Sequence, residues 1–385
     1  MVQAERTMHS ETLVYPGSET VVASLENPPG SWPLVRPTPI MKADDLCFLL
    51  WELPDLDRQH RFLIDFGMLD VEKTSESLIM RGYGRSPYLY VGRRGPKHRF
   101  VGLGFLASSR EDLVALSEAT GLAIEAVDRP GGGEVVRLED PLGQEVEVCF
   151  GIQEADPIAT RQEPLAVNTP DRKQRINQGQ RPPLEPAPVM GLGHCVTSAN
   201  NMEEVAAWYM LHLGLIPTDV LCLDDGSPMI AFMRLDRGDK PADHHCFVAG
   251  RGGGKGYLHS AYEVVDLDAI GQGQQYLKAK KYNHVWGIGR HILGSQLFDY
   301  WSDPDGHEFE HYADGDVYTA DHPTTYHPMD PGNIYAWGQD MPKSMLAPNG
   351  KQILAILSGL LDGSVTFDWL KTVLKVTKRS ARPWL

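Results

Sequence analysis

Apolar residues in this chain fall into short blocks of two kinds, and the order of the blocks repeats. Residues 46–51 (Leu-Cys-Phe-Leu-Leu-Trp) form a brief unbroken apolar run, which predicts a buried strand. Residues 56–66 carry apolar positions at helical spacing and stop at Gly67. Short strands are predicted near 77–79 and 88–91, and another at 100–106. Ser109 with Asp112 three residues on predicts a capped helix start, and that helix runs to Gly121. Strands at 135–138 and 145–150 flank a turn at Asp140-Pro141-Leu142-Gly143. The sense of the block is strand, helix, strands, done twice.

Residues 151–188 are rich in Pro, Gln, Arg and Asn, have no period, and read as a linker. The pattern then resumes. A strand at 193–197 leads to a helix at 202–213 that ends at Gly214. Strands follow near 229–234, 244–249 and 257–263, then a helix at 267–280. A short strand is expected at 291–293, another at 297–301, a turn at Asp303-Pro304-Asp305-Gly306, and a last strand from His307 to Tyr312. Residues 318–342 read as loop, and 353–361 and 367–376 as short helices with Lys375, Lys378 and Arg379 at the end, able to dock on the domain or on a partner subunit. The expected division is an N-terminal arm (1–43), a first domain (44–150), the linker (151–188), a second domain (189–316) and a C-terminal extension (317–385).

The halves are internally similar. Phe66-Gly67-Met68 matches Leu213-Gly214-Leu215, and the Asp140–Glu147 run matches Asp303–Glu310. In that register Cys47 falls near the place of His194 and Gly102 near that of His259, while Glu147 answers to Glu310. One metal site, in the second half, is therefore expected, with the first half as scaffold and Glu147 as a surface or pairing carboxylate.

Composition narrows the class. A chain of 385 residues with 42% apolar content can bury full cores for two or three domains. Its net charge of −15 argues against nucleic acid as a partner. No apolar run reaches the ~18 residues of a membrane span, and the first 40 residues lack a signal-peptide core. The five cysteines have no metal-ligand spacing and read as free thiols, so a cytoplasmic location is expected. Of the 14 histidines, those from His194 onward dominate, which points the chemistry to the second half.

The chemistry gathers on three predicted strands there. His194 lies in Gly-Leu-Gly-His-Cys-Val, His259 in Leu-His-Ser, and Glu310 after the Asp-Pro-Asp-Gly turn. Two His and one carboxylate can hold Fe(II) on one face and leave the other positions open. Alternation puts Glu308 and Glu310 on one face and turns His307 and His311 away from it, toward solvent. Gly252-Gly253-Gly254 lacks the context of a phosphate loop and reads as a flexible loop.

The run His291, Tyr300, Asp303-Pro304, Gly306, Glu310 resembles the signature of type I extradiol ring-cleavage (catechol 2,3-) dioxygenases of the vicinal oxygen chelate superfamily. One departure is Asp299, where an apolar residue is usual before the Tyr, with an effect expected at the pocket edge. The resemblance spans roughly residues 44–316. It implies an α+β fold of tandem βαβββ modules, two domains, each a pair of modules around a funnel. It implies His194, His259 and Glu310 as ligands of Fe(II), less readily Mn(II), with O2 as co-substrate. It further implies His245 as the acid/base, on a strand of the same domain, and His291 and Tyr300 as hydrogen-bonding partners of the substrate. Phe247, Trp286 and Phe298 are candidates for apolar walls around the ring. The substrate would be a catechol, cleaved beside its two hydroxyls to a hydroxymuconic semialdehyde or ketone equivalent, in aromatic catabolism by a homo-oligomer. Two other readings stay open: a glyoxalase- or epimerase-like metalloenzyme, and a metal-free binding protein of the same superfamily.

Overall fold

The computed structural model describes residues 36–252, 256–342, 350–362 and 365–379. Most of the N-terminal arm and of the glycine loop at 252–254 thus lies outside the described residues. None of the helices in the described part is long and apolar enough to cross a membrane.

The first half builds β1 (Ala43–Leu53), α1 (Leu56–Phe66), β2 (Leu69–Lys73), β3 (Ser77–Arg81) and β4 (Tyr90–Arg94). A second unit follows with β5 (Arg99–Ala107), α2 (Arg110–Thr120), β6 (Glu125–Ala126), β7 (Glu134–Glu139) and β8 (Glu145–Phe150). These are two βαβββ modules in one eight-stranded sheet, ordered β2-β3-β4-β1-β5-β8-β7-β6. The modules meet through the antiparallel pair β1–β5, and each closes on itself through a parallel pair, β1–β4 and β5–β8.

The second half repeats this with β9 (Gly191–Ala199), α3 (Met202–Leu213), β10 (Ile216–Cys222), β11 (Pro228–Arg234), the short β12 (Ala242–Asp243) and β13 (Phe247–Arg251). Its partner module is β14 (Gly256–Glu263), α4 (Leu267–Ala279), β15 (Asn283–His291), β16 (Leu297–Ser302) and β17 (Glu308–Ala313). The tail adds β18 (Val317–Tyr318), β19 (Thr325–Pro328), β20 (Tyr335–Gly338), α5 (Gly350–Asp362) and α6 (Phe367–Val376).

The helices start and stop for local reasons. Asp55, Ser109, Asn201 and Asp266 each cap a helix by accepting a backbone N–H from the first turn. Gly67 and Gly214 end α1 and α3 in the left-handed region, at φ 110° and 71°. At Gly67 a side chain is also excluded by contact, because a Cβ would lie 1.8 Å from the Ala187 carbonyl oxygen.

The tail differs from its expected loop character. β19 and β20 take the two edges of the second sheet, giving the order β19-β10-β11-β13-β9-β14-β17-β16-β15-β20. Both bare edges of the tandem are thereby paired. Helix α6 docks on this half. Val376 packs with Leu223 and Met229, Lys375 pairs with Asp224, and Arg379 reaches both Asp224 and Asp330. Helix α5 instead leaves Ile353, Leu354, Leu357 and Leu361 exposed.

One hydrophobic core joins the two sheets. Trp51, Phe62 and Phe66 of the first half interleave with Phe309 and Tyr262 of the second. His311, expected in solvent, is fully buried in this seam, stacked on Phe66 with Nε2 donating to the Phe66 carbonyl at 2.7 Å. His307 likewise packs on Trp51 rather than facing open water. Alternation gave their side of the strand correctly. What covers that side is the other half of the chain.

Candidate metal centre

Sheet register builds the site. β14 lies between β9 and β17, with Ala261 directly opposite His194 on one side and Glu310 on the other. The next rung positions on the same row are Tyr300, opposite Glu310, and Trp286, opposite Tyr300. Side chains of one rung share a face. His259, two residues before Ala261, is on that face as well. The strands of His194 and Glu310 stand two inter-strand steps apart, roughly 10 Å, and Ala261 between them is small enough to let the two side chains converge.

They do converge. Nε2 of His194 and Nε2 of His259 lie 3.3 and 3.4 Å from Oε2 of Glu310. Glu310 is 0% exposed, and both its oxygens lack a hydrogen-bond partner. An isolated carboxylate in that position is costly unless a positive charge compensates it. Burial alone would raise the Glu310 carboxyl, but His194 and His259 outweigh it and hold it well below the usual carboxylate range. Burial keeps His194 below the usual histidine value despite Glu310, so its ring is neutral and able to donate a lone pair. The residues fit a divalent cation, since one atom from each of the three lies within 4.8 Å of the others. Two imidazoles and a carboxylate suit Fe(II) or Mn(II).

The neighbouring histidines have defined partners. His291 ends β15; its Nδ1 faces the Ile334 carbonyl at 2.8 Å and its Nε2 the Tyr300 hydroxyl at 3.1 Å. Nδ1 must donate to the carbonyl, so Nε2 of the neutral ring accepts from Tyr300. Burial, then Glu310, push the Tyr300 hydroxyl well above its usual value, so it keeps its proton. His291 is itself held below its usual value by burial. Trp286 lies nearly parallel to Tyr300 at 5.6 Å, and Phe298 stacks on His291 at 4.2 Å. Both are almost fully buried, so they back this pair as a wall.

Three expectations are corrected. His245 is on no strand, because β13 begins only at Phe247; His244 and His245 sit in the segment before it, with His245 against His194 at 4.1 Å between rings. Phe247 is not a pocket residue. It pairs with Cys195, on the far side of β9 from His194, and stacks at 3.9 Å on Tyr209 of α3. Phe232 stands by His245 instead, at 5.2 Å. Asp299 also faces away from the site, accepting from Trp301 Nε1 at 2.7 Å and facing His284 Nε2 at 2.8 Å, so it does not shape the pocket edge. In the strand pattern, 291–293 is only the end of β15, and β10 was not expected at all; Pro217 and Asp219 weaken its strand signal.

β10 and its edge partner β19 supply residues that sequence reasoning missed, Asp219 and His327. Asp219 is buried, with His244 Nε2 at 2.6 Å and His327 Nε2 at 2.8 Å. His244 Nδ1 in turn lies 2.8 Å from His245 Nδ1. Burial would raise the Asp219 carboxyl, but His244 and His327 outweigh it and hold it well below the usual range. A carboxylate can only accept, so His244 Nε2 carries a proton. One proton lies between its Nδ1 and His245 Nδ1; with His244 as the acceptor, Nε2 of His245 keeps the lone pair. Burial, then His194 and His244, keep His245 far below its usual value and therefore neutral.

The matching place in the first half is filled. Gly104 lies opposite both Phe48 and Glu147, as Ala261 lies opposite His194 and Glu310. Phe48, not Cys47, therefore stands where His194 does, and Gly102 stands where His259 does. Glu147 is a buried pairing carboxylate rather than a surface one, held by Arg129 and Arg137. The Arg129 guanidinium also covers the Phe48 ring at 4.7 Å.

The family model of the Glyoxalase/Bleomycin resistance protein/Dioxygenase superfamily matches residues 191–311. The chain is 28% identical over 307 residues to metapyrocatechase 2 of Cupriavidus necator, covering 76% of this chain and 88% of that protein. It is 24% identical over 283 residues to the 3-methylcatechol 2,3-dioxygenase of Pseudomonas putida, covering 70% and 90%. Among solved structures it resembles the Mn(II)-bound glyoxalase of Novosphingobium aromaticivorans, at TM-score 0.66 and 22% identity over 80% of this chain and 96% of that one. It resembles homoprotocatechuate 2,3-dioxygenase of Arthrobacter globiformis at TM-score 0.64 and 20% identity, over 80% and 93%.

The Asp219–His244–His245 chain makes a spectroscopic prediction. In the metal-free protein labelled with 15N-histidine, His245 carries its proton on Nδ1, and Asp219→Asn, which can donate as well as accept, mixes the tautomers. A parent protein with the His245 proton on Nε2 contradicts the hydrogen-bond order.

Proposed function

We propose, for a chain whose residues 191–311 match the model of the Glyoxalase/Bleomycin resistance protein/Dioxygenase superfamily, that it cleaves a catechol beside its two hydroxyls with O2, using Fe(II). The observation that carries this reading is the convergence of His194, His259 and Glu310 on one buried point, with His245, His291 and Tyr300 around it. The names of the two relatives, each a ring-cleaving dioxygenase, support the substrate class. The likeness to a glyoxalase supports the fold alone. An isomerase of that kind would consume no O2, which separates the two readings.

His194, His259 and Glu310 would hold the ion. When bound, it supplies Lewis acidity toward the catechol hydroxyls and one-electron chemistry toward O2. The protein's own part is proton placement and shape. Tyr300, protonated, donates toward an oxygen of the substrate when it turns from His291. His291 Nε2, freed in the same motion, accepts from the hydroxyl. Nε2 of His245, kept as a lone pair by His244, takes a proton and returns it when the ring opens. Trp286 and Phe298 fix the Tyr300–His291 wall, and burial of the whole set excludes water from the open ring.

The assembly is proposed to be a homo-oligomer, in which the exposed Ile353, Leu354, Leu357 and Leu361 of α5 are covered by another copy. The protein is proposed to act in the cytoplasm, in aromatic catabolism, with no nucleic acid or membrane partner.

Activity and assembly are tested separately. On anaerobically iron-loaded protein, a panel of catechols should include one that consumes O2 and yields a yellow hydroxymuconic semialdehyde-type product. His245→Asn should keep its iron while turnover falls by about 10²-fold or more, whereas Glu310→Ala should lose iron outright. No O2 uptake with any catechol, or iron lost from the first variant and kept by the second, contradicts the reading. For the assembly, light scattering should give a mass above one chain, and Leu354→Glu with Leu357→Glu should reduce it; a monomeric parent refutes the proposed interface.

A further inference from the structure

A second group of metal-ligating side chains lies where the two halves meet, on the other face of the sheet from Glu310. His98 stands just before β5, in the first half. Asp303 and His307 form the turn between β16 and β17, in the second. Oδ2 of Asp303 lies 3.5 Å from His98 Nε2 and 3.3 Å from His307 Nδ1, and the two imidazole rings are 4.2 Å apart. All three atoms are buried, and none has a hydrogen-bond partner. Asp303 is 4% exposed. A buried polar atom left without a partner is costly, and here three point at one another.

The separations decide what is missing. They exceed the usual ~2.9 Å of an N–H···O bond. They match the roughly 3.3 Å edge between two ligands that each sit ~2.0–2.1 Å from a tetrahedral ion. The surroundings are also those of a built site. His98 turns its other nitrogen, Nδ1, to Asp305 Oδ2 at 2.7 Å, and Asp305 is held by Arg58 Nη1 at 2.9 Å. Metal-bound imidazoles are commonly oriented by such a carboxylate on the far nitrogen. Oδ1 of Asp303 accepts the backbone N–H of Asp305 and of His307, both at 2.9 Å, which fixes the carboxylate and leaves Oδ2 facing the two rings. Trp51 walls the site, 5.4 Å from His98 and 5.1 Å from His307 between ring centroids.

We propose that His98, Asp303 and His307 bind a divalent cation of the zinc class, as a clip between the two halves of the chain. Two imidazole nitrogens and one carboxylate oxygen are ordinary zinc donors. A water takes the fourth position, reached past His307, the least buried of the three. The clip ties the β4–β5 connection to the turn that leads into the strand of Glu310, so binding stabilises the arrangement of the two sheets. The internal repeat gives no sign of it, because its ligands are not equivalent positions of the two halves.

The test uses the full chain with Glu310→Ala, in which the first metal centre lacks its carboxylate, so the result stands apart from the dioxygenase reading. Stripped by a chelator and titrated with Zn(II), this variant should take up a single tight equivalent and gain thermal stability. Co(II) in its place should give the visible absorption of a four-coordinate ion. Adding His98→Gln, or separately His307→Gln should the first not fold, should abolish the uptake and the Zn(II)-dependent rise. Asp305→Asn, which removes only the orienting carboxylate, should weaken binding about 10–100-fold. The proposal is overturned if the Glu310→Ala chain takes up no Zn(II), or if folded His98→Gln and His307→Gln versions of it bind as tightly as their parent.

Discussion

The second half of this molecule depends on a carboxylate, Glu310, that no lysine or arginine pairs with among the described residues. Glu310 is wholly enclosed, and its Oε2 faces Nε2 of His194, which burial holds below its usual value, and Nε2 of His259. Such a group persists in a folded protein when a cation joins it. The sheet supplies the means of convergence. A parallel neighbour on one side and an antiparallel neighbour on the other bring His194, Ala261 and Glu310 into one rung, and Ala261 leaves the space that the cation would use. Enlarging Ala261 would fill that space without touching a ligand.

The first half shows the alternative solution to the same constraint. Glu147 occupies the rung of Glu310, but Arg129 and Arg137 neutralise it, and burial is outweighed so that its carboxyl stays below the usual range. Phe48 closes over Gly104, where a Cβ would lie 2.1 Å from the ring. The two halves thus share module order, sheet pairing and the acidic rung. They differ in what stands beside it: two arginines in the first half, two histidines arranged to hold an ion in the second.

Much of this was legible because β-sheet periodicity is strict. The spacing of His194, His259 and Glu310 on three strands and the Asp-Pro-Asp-Gly turn were enough to anticipate the module order and the convergence of these three side chains. Phe247 was misread through the strand start: a strand from 244 would place it with His245, whereas the strand begins at Phe247 and aims it at α3. Asp219 and His327 were invisible because their contact joins residues 108 apart along the chain, in a strand disguised by Pro217 and a tail that reads as loop. His307 and His311 were assigned the correct face and the wrong surroundings, since alternation says which way a side chain points and nothing of what another sheet brings against it. The same gap hid His98, whose partners lie more than 200 residues away.

The proposed chemistry turns on the place of the ion. Crystals of the anaerobically iron-loaded protein, measured at the iron absorption edge, give an anomalous difference map that locates it directly. The account predicts a peak at the point enclosed by His194 Nε2, His259 Nε2 and the Glu310 carboxylate, and none at the corresponding point between Phe48 and Glu147. Iron bound elsewhere, with these three side chains still in mutual contact and empty between them, would contradict it.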